Sequence, residues 1–472
     1  MIASSIAAIV LGYQIAEEAF FWPSLIAGIL ASIALVQLQP LKIGTLLVGL
    51  LLFGYIVGNR GFAQVSVTGS IPLLPAEFAL GVSGSILLYK LSTRRVSIFS
   101  NDLLNISLLA WIVLSSLRFP YDLRTYGVTA LRDYATVYYA AFFYIAQDAG
   151  DTEVGRSFLK NMLLVAMGVL LVISPLFDRF PEFFLDHITF RQTPLIYFKG
   201  DLVGTFAAAG SILFFAKYEQ RRSWFALALC VSLAALASNS NNRSSMLGVA
   251  LVSVILLICG RWHYVALLSA AAAAAIAGTL VIAYFRSEPW EETPVFDAYE
   301  KVISIGDPTG EGNYTGKDTF YKGDNNAFRW IWWKLTIDDT VHTNPMMGLG
   351  WGYDLAGDFE QIYYPEGNEE FAARSPHSIY VTLFGRTGFV GLIPFVALTC
   401  AIIHRTFRAI RGAQRSAYIW VAALVILTSA AFGVVLEGPM GAVVFWSILG
   451  LASSYDSNPD EPAAFPRPSN GV

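Results

Sequence analysis

Long apolar stretches without a charged side chain recur along this chain and restrict its folding more than any other feature. Ile43 to Val57 and Val421 to Val435 are two of them. Inside hydrocarbon only a helix or a closed barrel satisfies its own backbone groups, and barrel strands alternate polar with apolar residues, which these stretches do not. Charged residues make up 14% of the 472 positions and hydrophobic residues 55%, whereas soluble domains carry about 25% charged residues. The chain therefore reads as an all-α polytopic integral membrane protein.

Apolar segments long enough to span fall near 2–16, 22–37, 43–58, 71–90, 102–118, 127–147, 158–177, 199–217, 223–238, 244–260, 262–285, 377–403, 416–435 and 438–454. That predicts roughly 12–14 transmembrane helices. The start has no basic stretch and no small-residue cleavage site, so Ile2 to Ala16 reads as a first membrane segment. Basic clusters at Lys90 to Arg95, Lys217 to Arg222 and His404 to Arg415 mark the cytoplasmic side, and an even count places both termini there. Alternation sends Arg60, the Arg118 to Arg132 turn, the Asp178 to Lys199 loop and Asn239 to Arg243 to the opposite side, the periplasm in a bacterium. Cys230, Cys259 and Cys400 lie in apolar runs without close spacing and read as small core residues.

The division expected is a transmembrane bundle over 1–285, a periplasmic loop over 286–376, C-terminal transmembrane helices over 377–454 and a disordered cytoplasmic tail over 455–472. The loop holds 7 Lys/Arg and 17 Asp/Glu, an acidity that argues against nucleic acid as a partner. It also holds Trp290, Trp330, Trp332, Trp333 and Trp351 among the chain's 11 tryptophans, a composition that favours order. Phe328, Ile331, Trp332 and Leu335 recur at i, i+3, i+4 and i+7, predicting an amphipathic helix capped by Asn325 or Asn326, its apolar face on the membrane surface or the bundle. Gly348-Leu-Gly-Trp-Gly follows no strand and opens no helix, so it reads as a flexible turn and not as a dinucleotide site.

Arg124, Arg132, Arg191, Arg243, Arg329, Arg374 and Arg386 collect at the outer ends of predicted segments, against the positive-inside rule. An anionic ligand explains the set, because a guanidinium holds phosphate oxygens bidentately and keeps its proton. Individually each has a bland alternative: snorkelling to headgroups, or pairing with a neighbour, as Arg132 with Asp133. Arg243 opens a segment after Asn239-Ser-Asn-Asn, where backbone N–H groups and the guanidinium can face one anion. His377 follows Ser375-Pro376 at the start of another segment, where the helix dipole favours the neutral, proton-accepting ring. The five histidines are far apart and form no HxxH or HExxH pair, so no metal site is expected.

Asn242-Arg-Ser-Ser, Phe328-Arg-Trp, Asn344-Pro-Met-Met-Gly-Leu-Gly-Trp-Gly, His377-Ser-Ile-Tyr and Gly388-Phe-Val-Gly-Leu, in that order, resemble the O-antigen ligase and O-antigen polymerase superfamily. The resemblance is specific for roughly residues 239 to 400. It implies a glycosyltransferase moving glycan from undecaprenyl diphosphate to an acceptor hydroxyl at the periplasmic membrane surface, with no cofactor and no metal. On this pattern Arg243 and Arg329 hold the lipid diphosphate and His377 orients or deprotonates the acceptor; Arg191 and Arg132, from the set of outer arginines, are further candidate contacts to the diphosphate. Arg386, Arg374 and Trp333 are secondary candidates. Ser378 stands where the family often has Asn, and Arg386 where it often has an acidic residue, a change that alters local ion pairing or adds a phosphate contact.

The reading adopted is an inverting O-antigen or exopolysaccharide polymerase of the bacterial inner membrane. An O-antigen ligase that transfers glycan to lipid A core is the alternative, and a flippase of lipid-linked oligosaccharide is the rival of another class. A flippase needs charge deep along a path through the bundle, and the middles of these segments carry little. Expected partners are the undecaprenyl-diphosphate-linked glycan, an acceptor glycan or lipid A core, membrane lipids and a chain-length regulator.

Overall fold

The computed structural model describes residues 43–66, 74–93, 102–240, 243–287, 289–316, 322–364 and 373–456. The spans expected at 2–16 and 22–37, Asn242 and nearly all of the tail lie outside these residues.

In chain order the first helices are α1 (Ile43–Val57), α2 (Asn59–Gln64), α3 (Pro75–Ser92), α4 (Leu103–Ser116), α5 (Phe119–Tyr126), α6 (Val128–Tyr138), α7 (Ala141–Ala149), α8 (Glu153–Arg179) and α9 (Pro181–His187). A hairpin of two-residue strands, β1 (Thr189–Phe190) and β2 (Thr193–Pro194), leads into α10 (Gly200–Arg221), α11 (Trp224–Asn239), α12 (Arg243–Ile258) and α13 (Trp262–Arg286). The polar segment carries α14 (Pro294–Ile305), α15 (Lys322–Thr343) and α16 (Gly357–Tyr363), and α17 (Ile379–Arg411), α18 (Ala417–Ala431) and α19 (Pro439–Asp456) follow.

Among the described residues α8, α10, α13 and α17 suffice by length and composition to cross a membrane, and α4 with α5 make a fifth if that pair, bent by 40°, is one span. The apolar helices α1, α11, α12 and α18 are shorter. The all-α membrane architecture holds. One expected span, 127–147, is divided at Tyr139-Ala140 into α6 and α7.

Helices that are apolar all round belong in the middle of a bundle. Accordingly α10 is buried from Leu202 to Ala216, with Gly204, Ala207, Ala208, Ala209, Gly210 and Ser211 allowing close approach of its neighbours. The α18 and α19 helices are buried in the same way. No residue in the apolar window of α13 is buried, so this helix lies on the outside. Of the three cysteines only Cys230 is a core residue; Cys259 is half-buried and Cys400 is exposed on α17, because apolar composition does not say which face of a helix meets protein and which meets lipid.

Among the described residues, members of the three basic clusters lie near one another. At one end of the bundle Lys90 pairs with Asp148 at 2.6 Å, and Arg405 bridges Asp102 and Asp456 at 3.3 Å each. Lys217, Arg221 and Arg415 lie close enough to Lys160 to repel its charge. Arg60, Arg132, Lys199 and His377 gather at the other end.

The Gly348–Gly352 loop is bound and buried where the sequence suggests a flexible turn. Leu349 N donates to Gly385 O (2.7 Å), Gly350 N to Arg386 O (3.1 Å) and Trp351 N to Asp122 Oδ2 (2.8 Å), while Arg118 Nη2 donates to Leu349 O (2.7 Å). The loop fits beside a break in α17 at Gly388 (φ 58°, ψ −154°), where Phe389 N and Val390 N donate to Pro345 O and Met346 O. A Cβ at Gly388 would stand 2.4 Å from Pro345 O, so glycine is required there.

Candidate active site

The predicted amphipathic helix is α15, but it starts at Lys322, ahead of the expected caps. Asn326 lies inside it and donates to Ser304 O at 2.9 Å and to Asp307 O. The helix packs against α17, and its apolar stripe also meets α16. With α16 it forms a small apolar cluster, in which the fully buried Trp332 stacks on Phe359 (4.7 Å, 7°) and donates from Nε1 to Leu355 O at 2.6 Å. Trp351 is buried as well, whereas Trp290 and Trp330 are exposed.

That cluster sets the rotation of α15, and a second stripe, Asn326, Arg329, Trp330 and Trp333, then faces a pocket of about 130 Å³. Arg243, the first residue of α12, lines the same pocket. Arg243 is 7% exposed and donates through Nη1 to Ser304 Oγ at 2.9 Å. Arg329 Nε is buried without a hydrogen-bond partner among the described residues. Burial pulls the Arg329 guanidinium below its usual pKa, and the nearby Asp201 opposes this.

His377 stands two residues before α17 in the left-handed region, at φ 55°, an uncommon conformation for a non-glycine residue. Its ring lies 5.8 Å from those of Phe328 and Trp332, and Trp333 Nε1 donates to the carbonyl of the preceding Pro376. Burial, then the charges of Arg329 and Lys199, push its pKa down to about 3. These effects favour the neutral ring, and they act through burial and two cations, where the sequence suggests a helix dipole.

His377 also borders a cavity of about 840 Å³, reached by Arg132, Arg374 and Arg386 from the predicted set. Asp133 is paired not with Arg132 but with Arg386 (2.8 Å) and Arg374 (3.7 Å), and it accepts from Gly352 N at 3.2 Å. The helical turn points adjacent residues to different sides, which leaves exposed Arg132 facing the cavity. Arg386, 2% exposed, donates further to Gly350 O (3.3 Å), Tyr353 O and Arg374 O (3.3 Å), so its donors are committed to protein atoms. Arg191 is not brought to this region. It sits at the tip of the β1–β2 hairpin over the ring of Phe190 (5.7 Å) and borders neither cavity.

Arg60, Lys199, Glu77 and Glu437 complete the charged wall of the large cavity, and the sequence reading missed all four. A signal was present for the acids: Glu77 is the only charge between Arg60 and Lys90, and Glu437 the only one between Arg415 and Asp456. Glu437 accepts from Thr382 Oγ1 at 2.9 Å. Burial holds its carboxyl above the ordinary range, against the hydroxyls of Ser375 and Thr382 and the charge of Arg386.

Residues 226–396 match a family model described as O-antigen ligase. The matched interval contains Arg243, Arg329, Trp333, Arg374, His377 and Arg386, and Arg132 and Arg191 precede it. No curated protein matches the chain.

Proposed function

We propose, on the premise that residues 226–396 form an O-antigen ligase domain in a bacterial inner-membrane protein of polysaccharide biosynthesis, that the chain is a polymerase of undecaprenyl-diphosphate-linked glycan units. The observation that carries this reading is that Arg243 and Arg329 share one pocket while the helix that bears Arg329 sets the rings of Phe328 and Trp332 5.8 Å from that of His377. Lipid-linked donor, acceptor and catalytic ring are then neighbours at one end of the bundle, the end assigned to the periplasm by the basic clusters at the other.

In this reading the acceptor hydroxyl oxygen forms a bond to the anomeric carbon as the bond from that carbon to the diphosphate oxygen breaks. The electron pair leaves with the diphosphate, and the hydroxyl proton passes to His377. Arg243, tied to Ser304, and Arg329, in the same pocket, stand ready to stabilise the growing negative charge; one such donor is worth about 2.7 to 4 kcal/mol. Arg132, unpaired with Asp133, offers a further phosphate contact from the cavity wall. Single displacement inverts the anomeric centre, and neither a metal nor a nucleotide sugar enters the scheme. Arg386 acts as a positioning residue, since it ties α17 to α6 and the glycine loop.

A ligase acting on lipid A core uses the same donor chemistry and differs in its acceptor. Purified protein is supplied with lipid-linked repeat units alone, or with those units and lipid A core. A ladder of products in the first mixture supports polymerisation, and a single transfer that requires lipid A core replaces it with ligation. Movement of intact donor across vesicles without any new glycosidic bond would instead mark a flippase. A chain-length regulator is the further partner expected of a polymerase, and adding one should narrow the ladder.

A further inference from the structure

The large cavity carries a feature that diphosphate recognition does not use. Glu77, in the first turn of α3, accepts through Oε1 from the hydroxyls of Tyr138 (3.1 Å) and Tyr139 (2.5 Å). These tyrosines stand where α6 ends and the chain breaks before α7, which lets consecutive hydroxyls converge on one carboxylate. Both tyrosines and Glu77 line the cavity that His377 borders. Glu77 Oε2 is buried and has no hydrogen-bond partner among the described residues.

A carboxylate oxygen without donors, set at the head of an apolar helix, is costly to keep unless a ligand completes it. The charge of that ligand follows from the sign of the group: a carboxylate repels phosphate and accepts from hydroxyls. The partly exposed ring of Tyr138, backed edge-to-face by the buried ring of Tyr139 at 4.6 Å, adds an apolar face beside it, the combination that suits a sugar with its hydroxyls in the plane and C–H groups on its faces. The cavity volume, about 840 Å³, lies within the usual range for small-ligand pockets.

We propose that Glu77, with Tyr138 and Tyr139, forms the subsite that binds the hydroxyls of the acceptor's terminal sugar and presents that sugar to His377. This rests on the glycan-transfer reading and adds to it the place of the acceptor. Glu77 is here a binding residue, and no proton is assigned to it.

The test has two arms. In the first, the repeat-unit oligosaccharide, freed of lipid and phosphate, is titrated by calorimetry into detergent-solubilised full-length protein. Glu77→Gln should weaken this binding about tenfold to hundredfold, the range for a hydrogen bond to a charged group. In the second, transfer is measured at saturating donor: Glu77→Gln should raise the acceptor KM by the same factor and leave the donor KM within about twofold of the parent. Should the Gln variant fail to fold, Glu77→Asp, which keeps the charge but withdraws it by one methylene, should raise the acceptor KM alone. An unchanged acceptor KM overturns the subsite, and so does an equal loss of donor and acceptor affinity, which would make Glu77 structural. If the free oligosaccharide binds through Glu77 while no lipid-diphosphate donor yields product, the subsite stands and the transfer reading fails.

Discussion

Arg386 of α17 and Asp133 of α6 form a 2.8 Å ion pair beside the cavity that His377 borders, with Arg386 only 2% exposed. The pair joins two helices far apart in sequence, and Asp133 extends it to Gly352 of the glycine loop.

Removing one partner of such a pair leaves a buried charge uncompensated, typically at a cost of about 3 to 5 kcal/mol. Asp133→Asn and Arg386→Ala should therefore each lower the thermal midpoint in detergent sharply. Because the two residues are coupled, the double variant should be less destabilised than the sum of the singles. Additive losses would show that the pair contributes nothing as a pair.

Arg243→Ala and Arg329→Ala should each reduce kcat/KM about 10²- to 10³-fold, with normal membrane insertion. Arg329→Lys should restore little, since an ammonium cannot bind an anion bidentately. Steady-state rates with purified lipid-linked donor decide this, and full activity in both alanine variants would remove the diphosphate from this pocket.

The depressed pKa of His377, about 3, rests on burial and on Arg329 and Lys199. A bound diphosphate neutralises those cations and should raise it. The acid limb of kcat/KM, which reports the free enzyme, should thus lie at lower pH than the acid limb of kcat, which reports the complex. Coincident limbs would contradict the anion's place beside His377.

The same depression affects stability, with a sign that can be worked out. The unfolded ring binds a proton below about pH 6.5 and the folded ring only near pH 3, so the contribution is complete above the unfolded value and is lost as pH falls through this window. The slope reaches about 1.4 kcal/mol per pH unit. His377→Gln should flatten this part of a melting-temperature profile measured from pH 7 to pH 4.

Gly388→Ala forces a Cβ to within 2.4 Å of Pro345 O at a backbone φ of 58°. The substitution should unseat the glycine loop and lower the melting temperature by several degrees. Gly278→Ala, at a helical site with open space around it, is the control and should leave melting unchanged or slightly raised.

The membrane helices could be read from local composition, because burial in hydrocarbon acts on each segment separately. The helix start expected at 244 is Arg243 and the end expected at 285 is Arg286. Arg243, Arg329 and His377 stood out by residue type beside those segments. Arg191 stood out for the same reason, and the hairpin carries it away from both cavities.

What composition cannot encode is which charges meet. Asp133 could pair with its chain neighbour Arg132 on paper, yet the rotation of α6 gives it to Arg386 and Arg374. Glu77 and Glu437 were visible only as solitary charges until helix packing set them around one cavity. Hydropathy is a property of a segment and belongs to the sequence itself. Ion pairing and cavity shape depend on distances between segments remote along the chain, and these come into being only when the bundle closes.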